Sequence, residues 1–264
     1  MNSEQNETAQ PSPWQAPSAT PAGAAYPAPP VMPAPAGAYR SAKGLGIAAV
    51  VMLVLVALTD VLNAAMSLVV RGEYQKQVDG SAGSSDEVVG PEAVAGLTSL
   101  LQLAALVASG VVFLCWFWRV RKNAEALAPH FPHRKRRAWA IWGWIVPIVS
   151  LWFPLQMTQD VLRAGSPQQA PGRGEGLIGG WWAAWIVSLM LGRIDQKLYL
   201  DAETDEAYVT SFTVTPLADL ADLVAAVLAI LMVRRLTAAQ EAAAARAPQQ
   251  QAYWPQQYPA GPQV

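Results

Sequence analysis

Asp60 and Asn63 stand about one helical turn apart inside a long apolar run, and Asp219 and Asp222 repeat that spacing inside another. Ionisable groups at membrane depth are expensive to bury, so each of these positions is a candidate site by default. Carboxylates that approach one another there favour a shared proton or cation, so the expected chemistry is a proton- or cation-responsive site. Arg193, at the end of a third apolar run, is the candidate counter-charge. The competing expectation is structural, each aspartate bonding a neighbouring helix or reaching toward the headgroups.

Other chemistry is poorly represented. No Ser-His-Asp, Cys-His, paired catalytic carboxylate or Walker pattern falls in a soluble segment, and no such segment is long enough to build one. The chain is accordingly not expected to be an enzyme, and neither a cofactor nor a metal is implied. His130 and His133 lack nearby Cys and have only Glu125 beside them, which predicts a solvated loop rather than a metal site. Cys115 is the single cysteine, lies inside an apolar block and reads as a small buried hydrophobe. Gly172 to Gly180 (GRGEGLIGG) is glycine-rich but follows no strand, so it reads as a flexible lead-in rather than a phosphate loop.

The elements that must position these residues are membrane helices. Apolar residues make up 53% of the 264-residue chain and charged residues 14%, against about 25% charged in ordinary soluble proteins. Four blocks are long enough to span a bilayer: about 44–70, 93–118, 177–194 and 216–233, with Pro91 and Pro216 at helix starts. Residues 1–43 are Pro/Ala-rich and residues 237–264 Gln/Pro-rich, compositions that predict disordered tails around a membrane domain at 44–236. Pro-rich tails offer a possible docking segment for a protein partner, with a plain spacer the alternative. No signal peptide is visible, so the first span is expected to act as its own anchor.

A fifth block, 138–157, is studded with Trp139, Trp142, Trp144 and Trp152 and broken by Pro147 and Pro154. Basic residues decide how to read it. Arg40 and Lys43 precede the first span, and Arg119, Arg121, Lys122 and the run Arg134, Lys135, Arg136, Arg137 follow the second, whereas the intervening connection is acidic. The positive-inside rule then places both tails and the basic loop in the cytoplasm of an inner-membrane protein, but only if 138–157 does not cross. A re-entrant or interfacial helix is therefore favoured, with five spans the alternative. The basic run beside it suits anionic lipid headgroups; nucleic acid is not an expected partner.

Four spans also bring Asp60 and Asp222 to a similar depth, very roughly 9 to 12 Å below the outer surface, where they are able to face each other or Arg193. A weak internal repeat agrees with this: the first two spans with their acidic connection resemble the last two, 177–194 and 216–233, with theirs, and Leu97-Thr98-Ser99-Leu100 aligns with Leu217-Ala218-Asp219-Leu220.

Trp116, Arg119, Asn123 and Ala124, then Trp144, Pro147, Leu151, Trp152, Pro154, Met157 and Asp160, then Trp181, Trp182 and Trp185 carry a family resemblance. Together they resemble the multi-pass bacterial membrane proteins grouped as domain of unknown function 4328, across roughly Leu45 to Arg235. Ser150 stands where that family's motif leads one to expect Asn, and Asp160 where Glu is usual. The resemblance implies an integral membrane protein and assigns no activity; the apolar blocks themselves predict that it is all-α. The expectation is thus a non-enzymatic membrane scaffold or sensor, with a small transporter or channel using the intramembrane aspartates as the alternative.

Overall fold

The buried positions of the first apolar helix are Gly46, Ala49, Val56, Asp60, Asn63, Ser67, Val70 and Tyr74. They advance in steps of three, four or seven, the spacing of one helix face turned toward partners while the rest faces lipid. The computed structural model describes residues 39–82, 87–165 and 174–257, with side chains through 246. Among them α1 (Lys43–Val78), α2 (Val89–Leu127), α5 (Glu175–Leu200) and α6 (Asp205–Gln257) are long, and α3 (Trp139–Ile145) and α4 (Phe153–Gly165) are short. The four long helices are long and apolar enough to cross a membrane, α6 over Asp205–Arg246. The described residues contain no strand, and the fold is an all-α helical bundle.

The expected spans lie inside longer helices. Thr204 begins α6 well before Pro216, its hydroxyl accepting the Ala207 amide at 3.3 Å, with Asp205 and Glu206 in the positive first turn. Pro216 therefore lies in the helix interior rather than at its start, because capping chemistry, which an apolar window cannot register, sets the boundary. The predicted tail through residue 38, residues 83–86 of the acidic connection, Gly172 and Arg173 of the glycine-rich lead-in and residues 258–264 lie outside the described residues.

The tryptophan-rich block forms no single helix long enough to cross a membrane. The seven-residue α3 ends where Val146 turns extended (φ −76°, ψ 114°), a short 3-10 turn covers Val149–Leu151, and α4 follows. Pro147 supplies no amide to continue α3, and its carbonyl is capped by the Ser150 hydroxyl at 2.6 Å. The end of α2 and the start of α5 consequently sit at the same end of the bundle. Arg40 before α1, Asn123 in α2 and Gln240 in α6 are hydrogen-bonded there. This is the tail end; the α1–α2 and α5–α6 connections form the hairpin end.

Around the bundle the neighbours run α2, α1, α6, α5, with α1 packed on α2 and α6, and α5 on α6. The fourth side is different. The backbones of α2 and α5 stand apart, the two helices meeting through the Phe113 and Trp181 rings with centroids 6.2 Å apart, and beyond Ser188 no residue of α5 is fully buried. Gly174 (φ 96°) opens α5 in the left-handed region, a conformation that requires glycine there; the Arg235 guanidinium lies close over it.

Candidate functional site: a polar cavity between the hairpins

In the hairpin half, the polar residues of α1, α2 and α6 meet. Asn63 donates through Nδ2 to Asp219 at 2.9 Å and accepts the Ser99 hydroxyl at 2.9 Å. Gln102 donates through Nε2 to Asp60 at 2.7 Å and to Asp219 at 2.9 Å. Asp60 is 1% exposed, and its Oδ2 has no hydrogen-bond partner among the described residues. Asp222 and Asp219 are near enough to act electrostatically on Asp60. Across the cluster, Ser188 of α5 stands beside Asp222, and Thr215 donates to Asp195 at 2.7 Å.

All of these groups except Asp60 border a cavity of about 1160 Å³ between α1, α2, α5 and α6. Its lining runs from Glu92 and Tyr199 at the hairpin end, past Asp195, Asp219 and Asp222, to a floor of Phe113, Trp144, Trp181 and Trp185. Leu103, Leu106 and Leu189 line it and are also exposed on the outer surface, so the cavity meets the bundle's surroundings along the unpacked α2–α5 side. Arg193 lines the cavity too, but among the described residues it forms no ion pair with the aspartates.

The tail half is closed by aromatic packing. Trp144 of α3 lies 5.4 Å from Phe113, 6.2 Å from Trp181 and 5.6 Å from Trp185, centroid to centroid, and so fills the gap that α2 and α5 leave. Trp182 donates its indole N–H to the Leu151 carbonyl at 3.0 Å, tying the turn between α3 and α4 to α5. Trp116, fully buried, donates to Thr237 at 3.0 Å, and Gln240 donates to the Val120 carbonyl at 2.7 Å. The motif residues Trp116, Asn123, Pro154, Trp181 and Trp182 are thus buried in the tail half. Pro147 and Trp152 lie exposed on the wedge, and Arg119 is half-buried on α2.

The basic run is more committed than its sequence suggests. Arg134 pairs with the buried Asp160 through its backbone N–H (2.9 Å) and Nε (2.8 Å). Arg137 pairs with Glu125, and Lys135 lies 3.9 Å over the Phe153 ring. Arg136 is exposed. Arg121, 2% exposed, donates to the Lys135 carbonyl at 2.9 Å, with Glu125 2.9 Å away.

Two smaller expectations are corrected. His133 is half-buried rather than solvated, because the loop folds it edge-on against Phe131 with centroids 4.9 Å apart; burial foremost, then Arg121, holds its pKa below the usual histidine value. Cys115 is exposed on the outer face of α2, since an apolar block in a membrane helix has a lipid side as well as a core side.

The sequence pointed to Asp60, Asn63, Asp219 and Asp222, and the structure gathers them. It missed Gln102, Ser99 and Ser188, which complete the cluster. Their signal was available: uncharged polar groups at membrane depth also need partners, and Ser99 and Gln102 share the face of α2 one turn apart.

No curated protein and no solved structure matches the chain. The family model described as Domain of unknown function (DUF4328) matches residues 79–238. That stretch holds the aromatic wedge, the Trp116–Asn123 face and three sides of the polar cavity, and leaves most of α1 out. Because the match spans more than half of the 264 residues, the chain belongs to the DUF4328 family.

Proposed function

We propose that this protein is a non-enzymatic, ligand-responsive membrane scaffold, with the polar cavity as its sensing element and the tail end as its output surface. One observation carries the reading: Asp219 and Asp222 of α6 and Asp195 of α5 converge, with Asp60 behind them, on a cavity of about 1160 Å³ that a well-packed bundle would have filled. Carboxylates, amides and hydroxyls suit binding, while the two histidines and the cysteine lie elsewhere in the bundle.

Charge supports the orientation with the tail end in the cytoplasm of a bacterial inner membrane. Arg40, Arg121, the 134–137 run and Arg235 gather at that end, whereas Glu73, Asp79, Asp201, Asp205 and Glu206 flank the hairpin turns. Exposed Trp142, Ile145, Ile148 and Trp152 on the wedge, beside Arg136, form a surface suited to anionic headgroups. The predicted tails continue from this end and are the segments proposed for protein partners.

The transporter alternative needs a path through the tail half. The floor of Phe113, Trp144, Trp181 and Trp185 favours a receptor over a channel.

Side-specific labelling tests the reading. In a Cys115→Ser background, Gly192→Cys is expected to react with a membrane-impermeant thiol reagent from outside only, and tags on both ends are expected to be reached from inside only. A cavity cysteine labelled from neither side, or an external C-terminus, overturns it. Ion or solute flux in proteoliposomes, abolished by Asp60→Asn, would replace it with the transporter reading.

A further inference from the structure

Resting on the reading of the cavity as a binding site, we infer that its ligand is an amphipathic organic cation: an amine or onium centre carrying bulky aromatic or aliphatic groups. The lining is acidic in excess, since Glu92, Asp195, Asp219 and Asp222 face it with Arg193 as the cation among them. An anionic ligand would meet those carboxylates unpaired, and a neutral lipid chain would leave them without a use. Asp60 adds a second sign: it lies just behind the lining, joined to Asp219 through the shared Gln102, and its buried Oδ2 has no hydrogen-bond partner among the described residues. A buried carboxylate oxygen is costly to leave unsatisfied, and a cationic centre held at Asp219 and Asp222 offsets the charge gathered there.

A bare metal ion fits poorly. Among the described residues, no three carboxylate, histidine or cysteine side chains are grouped closely enough to hold one. An organic cation spreads its charge over a larger volume and needs fewer direct ligands. The cavity's volume accommodates a drug-sized body, for which pockets of roughly 300–1000 Å³ are usual. Depth along the helices orients it. With its charge at Asp219 and Asp222, the apolar part lies toward Trp181, Trp185 and Phe113, whose ring faces also attract onium groups.

The route of entry follows from the unpacked side. Amphipathic cations partition into a leaflet with their charge near the headgroups, and the α2–α5 gap between Leu106 and Leu189 opens the cavity to that layer. A ligand arriving this way need not pass through the tryptophan floor.

Two ions of matched shape and opposite charge, tetraphenylphosphonium and tetraphenylborate, separate charge recognition from hydrophobicity. The full chain in phosphatidylcholine nanodiscs is expected to bind radiolabelled tetraphenylphosphonium saturably, beyond the uptake of empty discs, and tetraphenylborate no more than those discs do. Asp219→Asn with Asp222→Asn is expected to weaken binding about tenfold or more, as losing one charge-assisted contact does. Gly192→Leu and Gly110→Leu place bulk where a Cβ meets nothing within 4 Å; as variants that keep the fold, they are expected to block binding by filling the cavity. Arg136→Gln, at the tail end, is expected to change nothing. Phosphonium uptake equal to that of empty discs, equal binding of the borate, or binding indifferent to both the aspartate and glycine variants overturns the inference. If Gly192→Cys is nevertheless labelled from outside, the cavity reading survives and only the ligand class fails.

Discussion

The two hairpins meet along two seams, α1 with α6 and α2 with α5, and the seams are built from different residues. Along the first, the helices pack throughout: Gly46 lets Thr237 approach, Asn63 bonds Asp219, and Ala225, Ala226 and Ala229 keep the α6 side slim. Along the second, Phe113, Trp181 and Trp185 hold the helices apart. Trp144 fills the resulting space in the tail half, and the polar cavity occupies it in the hairpin half. If the hairpins are duplicates, as the aligned segments at Leu97 and Leu217 suggest, the two seams began as equivalent. Within a bilayer, where lipid is as apolar as leucine, small residues and polar pairs close helices together and large rings do not. The difference therefore leaves the cavity on the seam that large rings hold open.

The largest expected effect sets Trp116 against Leu106. Trp116→Ala removes a fully buried ring and its bond to Thr237, and should cost about 3–5 kcal/mol. Leu106→Ala, on the open seam and half-exposed, should stay within about 0.5 kcal/mol of the parent. Thermal unfolding in detergent, followed by circular dichroism, measures both. Equal losses would break the comparison.

A smaller contrast comes from adding bulk. Leucine at Gly46 would begin with a Cβ 2.9 Å from Thr237 Oγ1, and overpacking of that kind costs about 1–3 kcal/mol. Leucine at Gly192 meets open space, so the unfolding temperature should hold or rise while the cavity fills. Size-exclusion profiles of fluorescently tagged variants would report the two outcomes side by side.

The smallest effect concerns the loop behind the wedge. His133 is held below its usual pKa of 6.5 chiefly by burial, then by Arg121, with Asp160 and Glu125 opposing. Below that pH the unfolded chain takes up a proton that the folded chain resists, so stability falls as pH drops from 6.5 toward the folded value. The slope should remain well under the limit of about 1.4 kcal/mol per pH unit for one proton. His133→Gln should flatten the dependence between pH 7 and 5 in detergent melts; an unchanged slope would place the titrating group elsewhere.

What the sequence alone determined was set by solvation. Long apolar runs have to be helices in a bilayer, a charge within them is conspicuous, and basic flanks with Pro147 and a short tryptophan-rich run forecast a segment that does not cross. Asp60, Asn63, Asp219 and Asp222 were legible because few residues are so out of place by type. Gln102 and Ser99 were less so, since an amide or hydroxyl barely disturbs an apolar average. Tertiary structure alone decided which faces meet. That Gln102 bridges Asp60 and Asp219, that Arg134 is spent on Asp160, and that Trp144 plugs one seam while its other half stays open all depend on distances between segments far apart in the chain. Helix periodicity fixes which residues share a face, but the choice of facing helix is made by side-chain volume and hydrogen bonding across the bundle.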